Sequence, residues 1–314
     1  MVESRPFRKD DIDGIVACLK RNFDWMSERT DEEITEWFSV LANHPWEDDN
    51  IDKNKYNYGK VLIDDGKIVG YFGGIGAERY VGEEKLLFMN FSTWAVDRGI
   101  RGSFFNHVED MYSIPDVITD LTPNQASVMF ESKFFGMDIE ERGYIRLYPV
   151  PFMDNHKCYI THIHRGIEID NNVVKKEFED HETYKGIGLV RVEDRTGVCY
   201  VFYRKMLNNG EWIRILKVSN SRIFSRHCHE ITWAIFEKEI YHSFLNDTDR
   251  YAEILRRSQN KEWIAMECER RFFGDAEIDY PLFTKMSKKR LYKNNAGVCF
   301  DNIDFLYTEY AFLV

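Results

Sequence analysis

The chain has 314 residues, of which 44% are hydrophobic, so at roughly 150 residues per domain it has material for about two buried cores. The net charge of −11 argues against a nucleic-acid-binding surface, which normally carries a basic stripe. No stretch approaches the roughly 18 consecutive apolar residues of a membrane span, and the first residues lack the apolar core of a secretory signal, so we expect a cytoplasmic protein without a membrane partner.

The first half of the chain is predicted to alternate helices with strands. Apolar residues recur at the helical period over residues 12–23. A second helix opens with Thr30 and Glu33 as a capping box, in which each side chain accepts a hydrogen bond from the other's backbone. A hairpin is predicted at 60–77. The further elements of this half are strands at 86–96, 117–121 and 139–148 and helices that begin near residues 103 and 124.

The second half shows the same order of elements without any repeat of residues. Its predicted elements are strands at 187–192, 198–206, 212–218, 263–268 and 303–313, a turn at 208–210, and helices at 223–241 and near 251–255. The matching order indicates a diverged duplicate. Pro149 and Pro151 mark a linker, so we predict two α/β (α+β) domains, at residues 1–150 and 151–314.

Three segments of the first half resemble the GNAT superfamily of acyl-CoA-dependent N-acyltransferases. The opening Arg5-Pro-Phe-Arg-Lys-Asp-Asp-Ile resembles the family's arginine-led strand, which runs into an acidic helix N-terminus. Trp94-Ala-Val-Asp-Arg-Gly-Ile-Arg-Gly resembles the long strand that leads into the pyrophosphate loop. Leu121-Thr-Pro-Asn-Gln-Ala, with Phe135-Gly-Met further on, resembles the asparagine-led helix. The resemblance covers residues 1 to about 150 and implies a GNAT-like mixed sheet flanked by helices, with a second GNAT-like domain in tandem.

The resemblance also implies that acetyl-CoA or another acyl-CoA binds to the first half. In the family, the strand that corresponds to residues 91–96 splays from its neighbour, and its backbone binds the pantetheine amides. This assigns Trp94 and Val96 to the cofactor site. Asn124 would help to hold the pantetheine arm or the substrate, and by itself it is also a common helix N-cap.

Arg101, Gly102 and Ser103 suit a diphosphate on physical grounds. A strand that turns sharply into a helix exposes backbone N–H groups at the positive end of the helix dipole. Glycine permits close approach, and arginine adds positive charge. The family loop reads Arg/Gln-x-x-Gly-x-Gly/Ala, but here Phe104 and Asn106 stand at the glycine positions. Phe104 therefore either obstructs the phosphates or packs into the core.

The expected activity is the transfer of an acyl group, most simply acetyl, from CoA to the amine of an amino sugar, an amino acid or another metabolite. In the family a backbone N–H stabilises the oxyanion, and the amine loses its proton to a glutamate or to ordered water. Glu131 and Asp120 lie where such a catalytic group is expected. Many GNAT enzymes carry a tyrosine on the late helix that protonates the departing thiolate, whereas Phe130 and Glu131 hold the nearest positions here.

Two other functions remain open. A non-catalytic binding or scaffold protein would account for the altered loop and the missing tyrosine. A peptidyltransferase that resembles the Fem family, which pairs two GNAT-like halves and uses aminoacyl-tRNA, is disfavoured by the acidic charge. CoA binding and a basic surface patch distinguish these alternatives.

Histidines and cysteines form no motif that predicts a metal site. His162 and His164 would share one face of a strand, whereas His227 and His229 would diverge on a helix, and no third-ligand pattern stands near either pair. The six cysteines are scattered without a Cys-x-x-Cys pair, which predicts free thiols in core positions. Cys228 lies on the apolar face of its predicted helix, so we interpret it as a core residue rather than a nucleophile.

Overall fold

The computed structural model describes residues 2–41, 59–81, 83–148, 158–206, 212–236, 265–278, 283–299, 303–308 and 311. The chain divides into two compact units. Unit 1 comprises Met1–Glu140, Lys289–Ile303 and Tyr307–Leu313, and unit 2 comprises Glu141–Lys288, Asp304–Leu306 and Val314. This division differs from the expected one at residue 150, because a late strand of the chain belongs partly to unit 1.

Unit 1 begins with a short strand and three helices. These are β1 (Glu3–Pro6), α1 (Ile12–Asn22), α2 (Asp24–Ser27) and α3 (Asp31–Leu41). The capping box of α3 is present as predicted. The backbone N–H of Thr30 donates to Glu33 Oε2 at 2.9 Å, and the N–H of Glu33 donates to Thr30 Oγ1 at 3.2 Å. Helix α3 therefore begins where its sequence satisfies its own backbone donors.

The sheet of unit 1 is mixed and flanked by helices. Strands β2 (Gly59–Asp64), β3 (Lys67–Val81) and β4 (Glu84–Val96) form an antiparallel meander, with β1 antiparallel to β2. Strand β4 then pairs in parallel with β5 (Val117–Asp120), and β5 pairs antiparallel with the end of β12 (Phe283–Asn294). Two helices, α4 (Phe104–Ser113) and α5 (Gln125–Phe134), flank β5 in the chain.

Unit 2 repeats the strand pairing of unit 1. Its elements are β6 (Asp138–Leu147), which starts in unit 1, β7 (Tyr159–Ile163), α6 (Asn172–His181), β8 (Ile187–Asp194), β9 (Gly197–Met206), β10 (Trp212–Val218), α7 (Ser221–Arg226), α8 (Cys228–Ile235) and β11 (Ala265–Glu269). Strands β7, β8, β9 and β10 pair antiparallel in turn, β10 pairs in parallel with β11, and β11 pairs antiparallel with β6. The same pattern links β1, β2, β3, β4, β5 and β12.

The two units have hydrophobic cores of different composition. The core of unit 1 is rich in phenylalanine, and Phe72 makes ring contacts with Phe91, Phe104 and Phe135 at centroid distances of 4.8, 5.6 and 5.8 Å. The core of unit 2 is mostly aliphatic and contains Cys228, as the sequence predicted. All six cysteines are free thiols, and four of them are buried.

Two predictions for the second half were wrong. The described part of the 223–241 segment is two helices, because His227 leaves the helical region with φ −116° and ψ 21°. Residues 303–308 form turns rather than a terminal strand. The late strand is instead β12, whose charged sequence shows no apolar alternation. The turn at 208–210, the helix near 251–255, Pro149 and Pro151 lie outside the described residues.

Every helix within the described ranges is too short or too polar to traverse a membrane.

Candidate active site

A cavity of about 540 Å³ opens in unit 1 at the carboxyl end of β4. Its volume falls in the range of roughly 300–1,000 Å³ that is usual for small-molecule sites. Six residues that the sequence assigned to the cofactor or to catalysis line this cavity: Trp94, Val96, Arg101, Phe104, Asp120 and Asn124. Gly102, Ser103 and Glu131 lie beside the cavity and do not line it.

Strand β4 loses its partner β5 at the cavity. The two strands pair only from Phe88 to Phe91, and Asp120, the partner of Phe91, is the last residue of β5. Among the described residues, no strand continues the ladder after Phe91 on the side of β4 next to β5, and Ser92 to Val96 line the cavity there. Backbone groups outside a strand ladder are suited to a ligand that carries amide groups.

A β-bulge in β4 lies at the same place. Phe72 of β3 pairs with Trp94, and Gly74 pairs with Phe91, so β4 has one more residue than β3 across this interval. Gly73 lies opposite the bulge, where a Cβ atom would come within 2.6 Å of the Thr93 carbonyl oxygen. Only glycine fits there without displacing the bulge. Bulges re-aim the backbone next to functional sites.

Asp120 and Glu131 form a buried carboxyl pair at the cavity. Asp120 is 4% exposed, and its Oδ1 accepts a hydrogen bond from the backbone N–H of Thr122 at 2.9 Å. Glu131 lies in α5 and is fully buried. Its burial and the neighbouring charge of Asp120 raise the pKa of Glu131 far above its usual range, against a smaller opposing effect of the Trp94 indole. Glu131 is therefore protonated at neutral pH and is not available as a base.

The expected diphosphate loop is a tight turn in the structure. Residues Arg98–Ile100 form a 3-10 helix, and the Ser103 N–H donates to the Ile100 carbonyl at 3.1 Å, so this donor is engaged within the chain. Arg101 Nε donates to the Val96 carbonyl at 3.2 Å, which holds its guanidinium at the cavity wall. Of the three residues expected to bind phosphates, only Arg101 lines the cavity.

Phe104 packs into the core and does not stand over the turn. It is 2% exposed, and its ring stacks on Trp94 with centroids 5.7 Å apart. The ring of Phe130 lies 5.0 Å from that of Trp94 and 6.5 Å from that of Phe104. These rings form an apolar wall of the cavity.

Asn124 is the N-cap of α5. Its Oδ1 accepts hydrogen bonds from the backbone N–H groups of Ala126 at 2.8 Å and Ser127 at 3.0 Å. This confirms the interpretation of Asn124 as a cap, and the same side chain lines the cavity.

Sequence reasoning missed the part of the cavity formed by α1 and α2. Asn22, Phe23 and Trp25 line it, and Trp25 is 53% exposed, with its ring 5.9 Å from that of Phe23. The available signal was the aromatic pair directly after the amphipathic first helix. Its relation to β4 depends on the tertiary fold and not on a local pattern.

The comparisons with known proteins identify the fold. No protein-family model matches the sequence, and no curated protein matches it. A solved GCN5-related N-acetyltransferase from Anabaena variabilis is similar with a TM-score of 0.50 at 7% identity, over 93% of this chain and 72% of that chain. The glucosamine N-acetyltransferase region of a fungal multi-domain GH3 beta-N-acetylglucosaminidase gives a TM-score of 0.52 at 13% identity, over 93% of this chain and 38% of that chain. The chain has the GNAT fold, as its sequence predicted.

Proposed function

We propose that this protein is a cytoplasmic acyl-CoA-dependent N-acyltransferase that acts on the amine of a small molecule. The observation that carries the proposal is the cavity at the divergence of β4 and β5, where Arg101, the bulge and Asp120 meet. A cation can bind the phosphates of CoA, a strand backbone outside a ladder can bind its amide groups, and a carboxylate can accept the proton of the amine. The similarity of the fold to solved N-acetyltransferases supports the same chemistry.

The cavity suits an acyl-CoA. The backbone of Ser92 to Val96 offers groups for the pantetheine amides, and Arg101 offers positive charge for the phosphates. Bound acyl-CoA supplies the activated acyl group as a thioester. A backbone N–H beside the bulge would stabilise the negative charge that develops on the acyl oxygen.

Asp120 is the base in this proposal. It lines the cavity, and the Thr122 N–H fixes the position of its carboxyl group. The attacking amine would transfer a proton to Asp120 as the new C–N bond forms, and the acyl C–S bond would then break to release CoA as a thiolate that takes up a proton from solvent. Glu131, which retains its own proton, supports Asp120 from beneath the cavity. Glu131 is therefore proposed to position Asp120. The sequence had left both carboxyl groups as candidates for the base, and the proposal assigns that role to Asp120 alone.

The acceptor is proposed to be an amino sugar, an amino acid or a similar metabolite amine. Phe23 and the half-exposed Trp25 provide apolar ring faces at the cavity. Aromatic faces of this kind contact the flat apolar face of a sugar or of a hydrophobic side chain. Amino sugars are therefore the first acceptors to screen.

We further propose that unit 2 is a diverged GNAT-like domain that does not bind acyl-CoA. The repeated strand pairing supports the duplication. Strand β10, the counterpart of β4, also carries a bulge, because Ile215 pairs with Tyr203 while Lys217 pairs with Phe202. At this bulge the Leu216 carbonyl accepts a hydrogen bond from the Phe305 N–H at 3.0 Å. A segment of the chain therefore contacts the bulge of unit 2.

Calorimetric titration of the purified chain with acetyl-CoA and CoA tests the proposal. We expect micromolar binding, roughly −8 kcal/mol, with one ligand per chain. Arg101→Ala should weaken binding about 5- to 100-fold through loss of a charge-assisted contact. Arg98→Ala is the matched control, because Arg98 is exposed and does not line the cavity.

A second candidate is a non-catalytic binding protein with the same fold. Phe130 in place of a hydroxyl and the engaged Ser103 N–H favour it. Correctly folded protein that binds neither acetyl-CoA nor CoA would support this candidate and contradict the enzyme proposal. Acetyl-CoA binding together with acyl transfer, with the transfer lost in Asp120→Asn, would exclude the non-catalytic candidate.

A further inference from the structure

Unit 2 brings together three side chains of the types that bind transition metals. Cys158 lies one residue before β7, His227 lies at the junction of α7 and α8, and Glu230 lies in the first turn of α8. Their ligand atoms, one from each residue, all lie within 4.8 Å of one another. A sulfur, a nitrogen and an oxygen at this spacing fit around a single ion.

The break between α7 and α8 turns the His227 ring inward. The imidazole is 2% exposed, and each of its nitrogens faces a carboxyl group. Nε2 lies 3.0 Å from Asp194 Oδ2, and Nδ1 lies 3.5 Å from Glu230 Oε1. The longer second distance exceeds that of an ordinary N–H···O hydrogen bond.

The surroundings of Asp194 determine which nitrogen of His227 carries the proton. Asp194 accepts hydrogen bonds from the backbone N–H of Thr196 at 2.7 Å and from Arg226 Nη1 at 2.6 Å. Because the Asp194 carboxylate accepts these hydrogen bonds, we assign it as the acceptor from His227 as well. His227 is therefore assigned the tautomer that carries its hydrogen on Nε2. Nδ1 then presents a lone pair to the oxygen of Glu230. With this tautomer, a cation between Nδ1 and the Glu230 oxygen would satisfy both acceptors.

We propose that Cys158, His227 and Glu230 bind a zinc ion through Sγ, Nδ1 and a carboxylate oxygen, leaving a fourth position for water. Thiolate, imidazole and carboxylate are all zinc ligands, and the thiolate disfavours magnesium and calcium. A carboxylate on the far nitrogen of a ligating histidine, here Asp194, fixes the ring in many such sites. The ion would fasten the start of β7 to α8, which packs against β7 and β8.

Zinc titration of the full-length protein tests this site. The chain is freed of metal with a chelator and titrated with Zn²⁺ in competition with a chromophoric chelator. We expect one zinc ion per chain for the wild type and for the control Cys299→Ser, which changes an exposed cysteine of unit 1. Asp194→Asn should weaken zinc binding about 10- to 100-fold because it acts through His227, and Cys158→Ser and Glu230→Gln should weaken it at least as much.

Cobalt substitution tests the sulfur ligand in the wild-type chain itself. Co²⁺ bound by the thiolate of Cys158 gives a sulfur-to-metal charge-transfer band, which Cys299→Ser should retain and Cys158→Ser should lose. Circular dichroism verifies that each variant is folded. Wild-type protein that binds no zinc, or that binds Co²⁺ without this band, overturns the proposal.

Discussion

The two units have the same strand pairing and a bulge at the equivalent strand, but they use the bulge differently. In unit 1 the backbone after the bulge of β4 lines an open cavity. In unit 2 the Phe305 N–H donates to the Leu216 carbonyl at the bulge, and Asp304 pairs with Lys217 at 3.2 Å. The same local geometry therefore borders an open cavity in one unit and contacts another segment of the chain in the other.

Buried glutamates show the same contrast between the units. Glu131 of unit 1 is buried beside another carboxyl group, and its pKa is raised. Glu267 of unit 2 is 3% exposed and lies among three cations, at 3.4 Å from Arg146, 3.1 Å from Arg214 and 2.6 Å from Lys288. Burial alone would raise the pKa of Glu267, but these charges outweigh it and lower the pKa. The raised pKa of Glu131 is typical of a residue in a functional site, whereas the ion pairs of Glu267 are typical of a residue that stabilises the fold.

The largest effect is expected for Glu267→Gln. The substitution preserves shape but removes the buried anion that three largely buried cations share, which should cost about 3–5 kcal/mol of unfolding free energy. Because the folded-state pKa is lowered, this stabilisation is present above about pH 4 and is lost as the pH falls further. Urea unfolding of the wild type and the variant at pH 7 and at pH 3.5 measures the loss of stability and its dependence on pH. Glu193→Gln, at an exposed ion pair, is the control, and equal losses in the two variants would contradict the expectation.

Replacement of Glu131 by glutamine should instead increase the unfolding free energy. Because the folded-state pKa is raised, the contribution of Glu131 to stability is most favourable below about pH 4, where this residue is also protonated in the unfolded chain, and it falls as the pH rises. Glu131→Gln removes this dependence and should increase the unfolding free energy by about 1–3 kcal/mol at pH 8. Urea unfolding from pH 4 to pH 8 measures the difference. A constant difference across this range would show that Glu131 ionises normally in the folded protein.

Gly73→Ala should disturb the bulge of unit 1. The added Cβ would press on the Thr93 carbonyl and Ser92, and overpacking of this kind costs about 1–3 kcal/mol. We also expect weaker acetyl-CoA binding in calorimetry, because the displaced backbone lines the cavity. Gly102→Ala is the control, since no atom lies within 4 Å of its added Cβ. Unchanged acetyl-CoA binding in Gly73→Ala would show that the backbone at the bulge does not contribute to the ligand site.

Local signals in the sequence predicted most elements of unit 1 and named six residues that line its cavity. The capping box of Thr30 and Glu33 acts between neighbouring residues, so pattern alone identified it. Strand β12 was missed because its pairing with β5 joins distant parts of the chain and its sequence is charged. The approach of Cys158 to His227 is likewise a long-range consequence of folding, so examination of histidine pairs alone led to an expectation of no metal site.

Two helix caps with the same hydrogen-bond geometry, one in each unit, give the smallest expected effect. Asn124 caps α5 and Asn171 caps α6, and each Oδ1 accepts two backbone N–H groups at 2.8–3.0 Å. Replacement of either asparagine by alanine should cost about 1 kcal/mol in urea unfolding, the usual value for a lost cap. Only Asn124 lines the cavity, so only Asn124→Ala should also weaken acetyl-CoA binding. Equal loss of binding in both variants would mean that the effect follows from reduced stability, and loss in Asn171→Ala alone would move the ligand site to unit 2.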